Sequence, residues 1–336
     1  MIAAGAALAA VVALGWLFLP SNVASLLTGA IAALIVAFGI SRALGLSDRW
    51  LVVLVPMLWF LVFFLVPFVV LGRISLSEVM IARPPYSPLW ERGPDGTIEI
   101  IASLDNYRFL ASDPLYLNAY LSSIKVALVS TLFALLVGYP IAYFIARSPE
   151  PRRSILLLLV ILPFWTSFLL RVYAWIGFLR SNGVINNILM GLGLIDDPLV
   201  MMQTDFAVYV GIVYTYLPFM ILPLYANLVK LDDALLEAAA DLGASPMTTF
   251  FTVTLPLSLP GIVAGSMLVF IPAIGEYVIP ALLGGPDTLM IGRVLWDEFF
   301  SSRDWPVASA VAIVMLILVV LPIMWLQSVQ SRGENP

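Results

Sequence analysis

Residues 231–256 read LDDALLEAAADLGASPMTTFFTVTLP and form a charged stretch between two long hydrophobic runs. Asp232 or Asp233 can cap a helix start, and the next ten residues are mostly good helix formers. Gly243 suits the left-handed conformation that ends many helices, and Ser245 followed by proline is typical of a new helix start. The stretch therefore predicts a helix, a sharp turn and a second helix outside the membrane. These features alone also fit an amphipathic loop that merely joins two spans.

The composition of the chain indicates a membrane protein and excludes several kinds of chemistry. Its 336 residues are 62% hydrophobic and 11% charged, with a mean hydropathy of +1.03, which is typical of a polytopic membrane protein. Cysteine and histidine are absent, which excludes disulfides, thiol nucleophiles and metal sites built on these residues. The only lysines, Lys125 and Lys230, do not follow glycine, so the chain has no Walker A loop. A net charge of −5 gives no basis for nucleic-acid binding.

Hydrophobic runs predict the membrane topology, since each is close to the roughly 20 residues that cross a bilayer as a helix. The predicted spans are residues 2–19, 23–44, 51–71, 121–145, 154–178, 206–228, 261–283 and 307–326. They predict an all-α membrane protein with a six-helix core in residues 51–330 and two extra spans in residues 1–50. Prolines in or near these spans either are tolerated kinks or help to shape a cavity.

Basic residues predict the orientation. Residues 147–153, RSPEPRR, hold three arginines, and short basic loops favour the cytoplasmic side. In the predicted topology this loop lies on the same side as residues 231–256, so both termini are predicted to be cytoplasmic. On the other side, residues 73–120 predict a small periplasmic cap with a hairpin near 93–96 and a helix near 104–110. Residues 181–204, in the next outer loop, predict a broken, re-entrant helical stretch.

The charged stretch resembles a known motif. It resembles the EAA loop in permease subunits of ABC importers. The matching pattern is Glu-Ala-Ala, three residues, Gly, nine residues, Val, one residue and Leu-Pro. The motif residues singled out are Glu237, Ala238, Ala239, Leu242, Gly243 and Pro256. The resemblance implies that the loop docks into a groove of an ATPase subunit. Glu237 is then expected to make a polar contact with the ATPase, Gly243 to form the turn, and Ala238, Ala239 and Leu242 to form the packed face.

Other stretches resemble the polyamine branch of that family, nearest its putrescine permease subunit and next its spermidine/putrescine subunit. These include LDNYRFLASDPLY (104–116), PFWTSFLLRVYAW (163–175), YLPFMILPLY (216–225), LVFIPAIGEYVIPALLGGPDTLMIGRVLWDEFF (268–300) and RDWPVASAVAI (303–313). The resemblance covers about residues 51–326 and implies a subunit of a bacterial inner-membrane importer. The implied partners are a second homologous permease subunit, two ATPase subunits and a periplasmic polyamine-binding protein. ATP and Mg²⁺ are expected on the ATPase, so this chain is expected to hold no cofactor and to catalyse no reaction.

A polyamine path calls for carboxylates and aromatic faces, because the cargo is an apolar chain that carries ammonium groups. Ionisable residues inside spans are costly and therefore functional candidates. Glu276, in IPAIGEYVIP, is predicted either to line the path or to form a structural ion pair with Arg171 or with the partner subunit. The aromatic candidates for the path are Trp165, Tyr173, Trp175 and Tyr277.

Two alternative functions stay open on the sequence. The first is an ABC importer permease for another small solute, because a permease sequence constrains its cargo weakly. The second is an ion-coupled secondary transporter, although the chain has no histidine relay and few carboxylates inside its spans. The preferred interpretation is a polyamine importer subunit.

Overall fold

The computed structural model describes residues 53, 56–57, 59–92, 98–286 and 288–333. The chain divides into two compact units, Met1–Leu71 and Gly72–Pro336. The predicted spans at 2–19 and 23–44, and the predicted boundary between residues 50 and 51, lie outside the described residues. Among the described residues, three helices are long and apolar enough to cross a membrane, and one bent pair of helices makes a possible fourth span.

The first part of the described chain leads into the segment for which residues 73–120 predict a periplasmic cap. A π-helical turn at Leu61–Leu65 continues into helix α1 at Val66–Ser75. Strands β1 at Trp90–Arg92 and β2 at Ile98–Ile100 pair antiparallel, so the predicted hairpin is confirmed. This hairpin is a small addition to an otherwise helical fold. Helix α2 at Asp105–Ser112 matches the helix predicted near residues 104–110.

Three long helices form the centre of the second unit: α3 at Pro114–Ala146, α7 at Asp205–Leu228 and α10 at Leu255–Ile274. Their glycines allow the backbones to approach closely, as in many membrane helix pairs. A Cβ at Gly265 of α10 would lie 3.0 Å from the carbonyl oxygen of Met220 in α7. The predicted spans at 121–145 and 206–228 fall within α3 and α7.

The predicted span at residues 154–178 is not one straight helix. The chain forms α4 at Glu150–Ile161, a 3₁₀ turn at Leu162–Trp165, α5 at Phe168–Leu179 and α6 at Val184–Gly191. The two halves of this region bend by 93°. Pro163 has no N–H to continue the α-helical ladder, and the Thr166 hydroxyl donates 2.7 Å to the carbonyl of Pro163. The short α6 agrees with the helical stretch predicted in residues 181–204.

The predicted span at residues 261–283 is interrupted as well. Helix α10 ends at Ile274, residues 275–277 leave the helix, and α11 follows at Val278–Leu283. Helix α12 at Ile291–Trp296 then runs into a π-helical turn at Asp297–Ser302. The last helix, α13 at Trp305–Gly333, contains the predicted span at 307–326.

Candidate functional site

The charged segment, residues 231–256, folds as its sequence predicts. Helix α8 at Asp233–Asp241 begins after Asp232, whose carboxylate accepts a hydrogen bond from the Ala234 N–H. Asp232 is therefore the cap. Asp233 lies in the first turn, where its carboxylate interacts favourably with the positive end of the helix dipole. The second helix, α9 at Pro246–Thr249, is capped by Ser245, whose Oγ accepts from the Thr248 N–H.

Gly243 makes the turn between the two helices. Its φ of +79° is the left-handed conformation that only glycine adopts without strain. The N–H of Gly243 bonds to Ala240 at 2.8 Å and the N–H of Ala244 bonds to Ala239 at 3.0 Å, so the last carbonyls of α8 are satisfied. The turn is therefore closed by its own backbone and holds α8 and α9 in one fixed geometry.

Within the described residues, the outer face of the charged segment is exposed and accessible to another protein. Glu237 and Ala238 are exposed and Ala239 is half-buried. Leu242 is 89% exposed and Met247 is 68% exposed. Large apolar side chains beside an exposed carboxylate are typical of a protein–protein contact. Within the described residues, Ala238 and Leu242 of the predicted packed face stay exposed.

The inner face of the charged segment contacts the end of α3. Arg147, at the end of α3, forms an ion pair with Asp233. Its guanidinium also lies 5.7 Å from the centre of the Tyr143 ring. Sequence reasoning did not identify this pair, although an arginine in one loop and an aspartate in the next is the signal that could have pointed to it.

The charged segment continues into α10 without a break in the helical path. A π-helical turn at Phe250–Thr254 joins α9 to α10, and the whole stretch Pro246–Ile274 forms one long helical rod. Pro256 lies in the first turn of α10 and is exposed. The wider π turn accommodates the proline, which offers no N–H to an α-helical ladder.

Glu276 lies at the other end of this rod, in the break between α10 and α11. It is 8% exposed. Its Oε1 accepts hydrogen bonds from the N–H groups of Val278 at 3.0 Å and Ile279 at 3.4 Å, and its Oε2 accepts one from the Tyr216 hydroxyl of α7. Both oxygens therefore have partners, and the carboxylate caps the first turn of α11.

Arg171 does not pair with Glu276. The guanidinium of Arg171 lies 5.6 Å from the Phe164 ring centre and 5.9 Å from that of Phe168. Within the described part of the chain, its Nε and Nη1 are buried without a hydrogen-bond partner. The predicted intramolecular ion pair is therefore wrong, because the backbone N–H groups that the break frees, together with Tyr216, occupy the carboxylate of Glu276. Pairing of either residue with a partner subunit stays a prediction.

The four predicted aromatic residues are not brought together. Tyr277 stacks on Trp296, with ring centres 4.5 Å apart. Trp175 meets Tyr214 edge to face at 5.4 Å and lines an apolar cavity of about 650 Å³ between α3, α5 and α7. Trp165 is 75% exposed and Tyr173 is 57% exposed, so these two face out of this chain. Tyr216, which contacts Glu276 directly, was missed because a tyrosine in an apolar span carries no distinguishing signal.

Comparisons with known proteins identify the family of this chain. A family model described as "binding-protein-dependent transport system inner membrane component" matches residues 134–334. The match includes both the charged segment and Glu276.

Individual relatives of this chain are also transport system permease proteins. The spermidine/putrescine transport system permease protein PotB of Salmonella typhimurium (strain SL1344) is 47% identical over 222 residues, which cover 66% of this chain and 77% of PotB. PotB of Escherichia coli (strain K12) is 46% identical over 222 residues, covering 66% and 80%.

A solved structure supports the fold. A bacterial ABC transporter involved in import of the acidic polysaccharide alginate superposes with a TM-score of 0.64 at 18% identity. The superposition covers 90% of this chain and 100% of the other. From the family match and the relatives together, we conclude that this chain belongs to the binding-protein-dependent transport system inner membrane components, the permease subunits of ABC importers.

Proposed function

We propose that this chain is a membrane-spanning subunit of an ATP-driven importer of polyamines such as putrescine and spermidine. Its identity of 46–47% to PotB, whose name gives these cargoes, supports the choice over other small solutes. Family membership favours an importer subunit over a secondary transporter that works alone. The chain itself catalyses no reaction: a separate ATPase subunit binds ATP and Mg²⁺.

The proposed orientation places both termini and the charged segment in the cytoplasm. The ion pair between Arg147 and Asp233 supports it, because it places the basic loop at residues 147–153 beside the charged segment. Short arginine-rich loops favour the cytoplasmic side. Residues 73–120 then lie in the periplasm, where a polyamine-binding protein delivers the cargo.

In the assembly we propose, this chain pairs with a second homologous permease subunit above two ATPase subunits. The exposed face around Glu237 and Leu242 docks on one ATPase. ATP binding brings the ATPase subunits together and displaces the charged segment. The free energy comes from the different affinity of ATP for the two states of the ATPase.

The fold offers a direct route from that docking face to the membrane interior. The rod Pro246–Ile274 begins in the charged segment and ends one residue before the break at 275–277. A displacement of the charged segment therefore moves Glu276 relative to α7, where Tyr216 holds it. We place Glu276 on the cargo path, where its carboxylate meets an ammonium group once the path opens. The proposed aromatic contacts are Tyr277, Trp165, Tyr173 and Trp175. The two exposed ones, Trp165 and Tyr173, face the space between the two permease subunits.

The observation that carries the proposal is the exposed Glu237 face on a rigid turn that leads into the rod. The test is uptake of radiolabelled putrescine and spermidine by proteoliposomes that hold the whole complex, the binding protein and ATP. Glu237→Lys is expected to abolish uptake while the chain still inserts into the membrane. Asp196→Lys, a charge reversal at an exposed acid of an outer loop, is the matched control and should leave uptake within about twofold of wild type.

Two results would contradict the proposal in different ways. Normal uptake by Glu237→Lys would reject coupling through the charged segment. A wild-type complex that imports another small solute and neither polyamine would reject the cargo and keep the coupling.

A further inference from the structure

We propose that an anionic phospholipid binds this chain, with an acyl chain in an apolar groove between α3, α4 and α7 and its phosphate on Arg152. The proposal concerns a surface away from the charged segment and from Glu276. It goes beyond the proposed function, because it holds for any cargo.

The groove has a volume of about 480 Å³ and is lined almost entirely by apolar side chains. Its walls include Pro140 and Phe144 of α3, Leu156 and Leu159 of α4, and Pro218 of α7. Pro163, in the 3₁₀ turn after α4, also lines it. Prolines therefore shape this cavity, one of the two roles that the sequence left open for them.

Arg152 lies beside one wall of the groove. Its guanidinium lies 5.1 Å from the ring centre of Phe144, which lines the groove. Arg152 precedes Leu156 by four residues and Leu159 by seven, so all three share one face of α4. The positive charge and the apolar wall are thus parts of one continuous strip.

The three arginines of residues 147–153 differ in their partners. Arg147 pairs with Asp233, and Arg153 pairs with Glu150 at 2.8 Å and donates to the carbonyl of Ser148 at 3.1 Å. Within the described residues, the side chain of Arg152 forms no salt bridge and no hydrogen bond, and it is exposed. It is the arginine of this loop that is left to meet an external anion.

The dimensions fit one lipid leaflet. Arg152 precedes Pro163 by eleven residues, which corresponds to about 16 Å along a helix. Half of the hydrocarbon core of a bilayer is about 15 Å thick. A phosphate at Arg152 therefore places its acyl chain along the full length of the groove, and the arginine at the level of the headgroups.

The test measures lipid association with the full chain, reconstituted with its partner subunits in phosphatidylcholine vesicles. The probes are phosphatidylglycerol and phosphatidylcholine, each spin-labelled near the end of one acyl chain. The motionally restricted fraction of the electron paramagnetic resonance spectrum gives their relative association. Wild type should prefer phosphatidylglycerol, and Arg152→Gln should reduce that preference by up to about fivefold. Arg153→Gln, whose arginine is already paired, is the matched control and should have a smaller effect.

A second pair of variants tests the groove itself. Leu159→Trp fills the groove and should lower the restricted fraction of both lipids. Leu158→Trp is the control, because Leu158 is exposed on α4 and does not line the groove. Equal effects within either pair of variants would overturn the proposal. So would selective loss of the second permease subunit from the Leu159→Trp complex, since a protein and not a lipid would then cover the groove.

Discussion

The Tyr216 hydroxyl of α7 donates a hydrogen bond to the Glu276 carboxylate in the break between α10 and α11. The other oxygen of that carboxylate accepts from the N–H groups of Val278 and Ile279. One side chain therefore both caps α11 and joins it to α7. Any movement that separates the rod Pro246–Ile274 from α7 has to break this contact or carry Tyr216 with it.

Removal of the Tyr216 hydroxyl should destabilise the chain. Tyr216→Phe leaves one oxygen of a buried carboxylate without its partner, which costs about 1–3 kcal/mol. The measurement is the free energy of unfolding of the purified chain in mixed micelles. Tyr214→Phe, in the same helix, is the control, since no hydrogen bond of the Tyr214 hydroxyl occurs within the described residues. Equal stability of the two variants would mean that the hydrogen bond between Tyr216 and Glu276 contributes nothing to the free energy of unfolding.

Loss of the Glu276 charge should affect transport more than assembly. In Glu276→Gln, the amide oxygen can still accept from the backbone N–H groups and the amide NH₂ can donate to Tyr216. The charge that we propose to meet an ammonium group is lost, and a charged hydrogen bond of about 1.5–3 kcal/mol corresponds to a rise in KM of at least about tenfold. The KM is measured from uptake of putrescine and spermidine by proteoliposomes. Co-purification of the partner subunits measures assembly.

Glu276→Ala provides the comparison, because it removes the cap as well as the charge and should impair assembly too. If Glu276→Gln assembles normally and its uptake kinetics equal those of wild type, Glu276 caps α11 and does not lie on the cargo path.

The charged segment could be predicted closely because its signals are local. The cap at Asp232, the left-handed Gly243 and the Ser245 start each depend on a few neighbouring residues, and each occurs in the structure. The hairpin between β1 and β2 was predictable for the same reason. The docking role of Glu237 depends on a partner and stays a prediction.

The breaks in the apolar spans could not be located from hydropathy. Residues on both sides of the bend after Pro163 are apolar, so the run reads as one span although its halves differ by 93°. The break at 275–277 changes the partners of Glu276, since it frees the N–H groups of α11. For Glu276 the sequence left open a place on the cargo path or an ion pair with Arg171 or with the partner subunit, because hydropathy does not show this break.

Close packing of α7 against α10 should be sensitive to one added methyl group. A Cβ at Gly265 would lie 2.9 Å from Sδ and 3.0 Å from the carbonyl oxygen of Met220. Since the backbone cannot yield easily, Gly265→Ala should lower the free energy of unfolding by about 1–3 kcal/mol. Gly177→Ala in α5 is the control, because no atom lies within 4 Å of its added Cβ.

The two substitutions are expected to affect the free energy of unfolding differently. Alanine is a better helix former than glycine by up to about 1 kcal/mol, so Gly177→Ala should be neutral or stabilising. Denaturation in mixed micelles measures both variants, and a stable Gly265→Ala chain would show that the two helices can separate without cost.

Two ion pairs of nearly equal exposure allow a sharp test of the link between the charged segment and α3. The Arg147–Asp233 pair has side chains 24% and 76% exposed, and the Arg153–Glu150 pair has 22% and 77%. The first joins two elements, whereas the second lies within the first turn of α4. The acid of each pair is exposed and its arginine is partly buried, and pairs in contact with solvent contribute about 0.2–1 kcal/mol to stability, so neither should change unfolding strongly.

Transport coupling should separate the two pairs. Asp233→Arg should reduce ATP hydrolysis stimulated by the binding protein, because it places two positive charges together and displaces α8 from the end of α3. The double exchange Arg147→Asp with Asp233→Arg should restore part of the stimulation. The same exchange at Arg153 and Glu150 should leave it unchanged. If both exchanges and the single variant give wild-type stimulation, the contact at Asp233 positions nothing, and the rod Pro246–Ile274 alone carries the motion into the membrane.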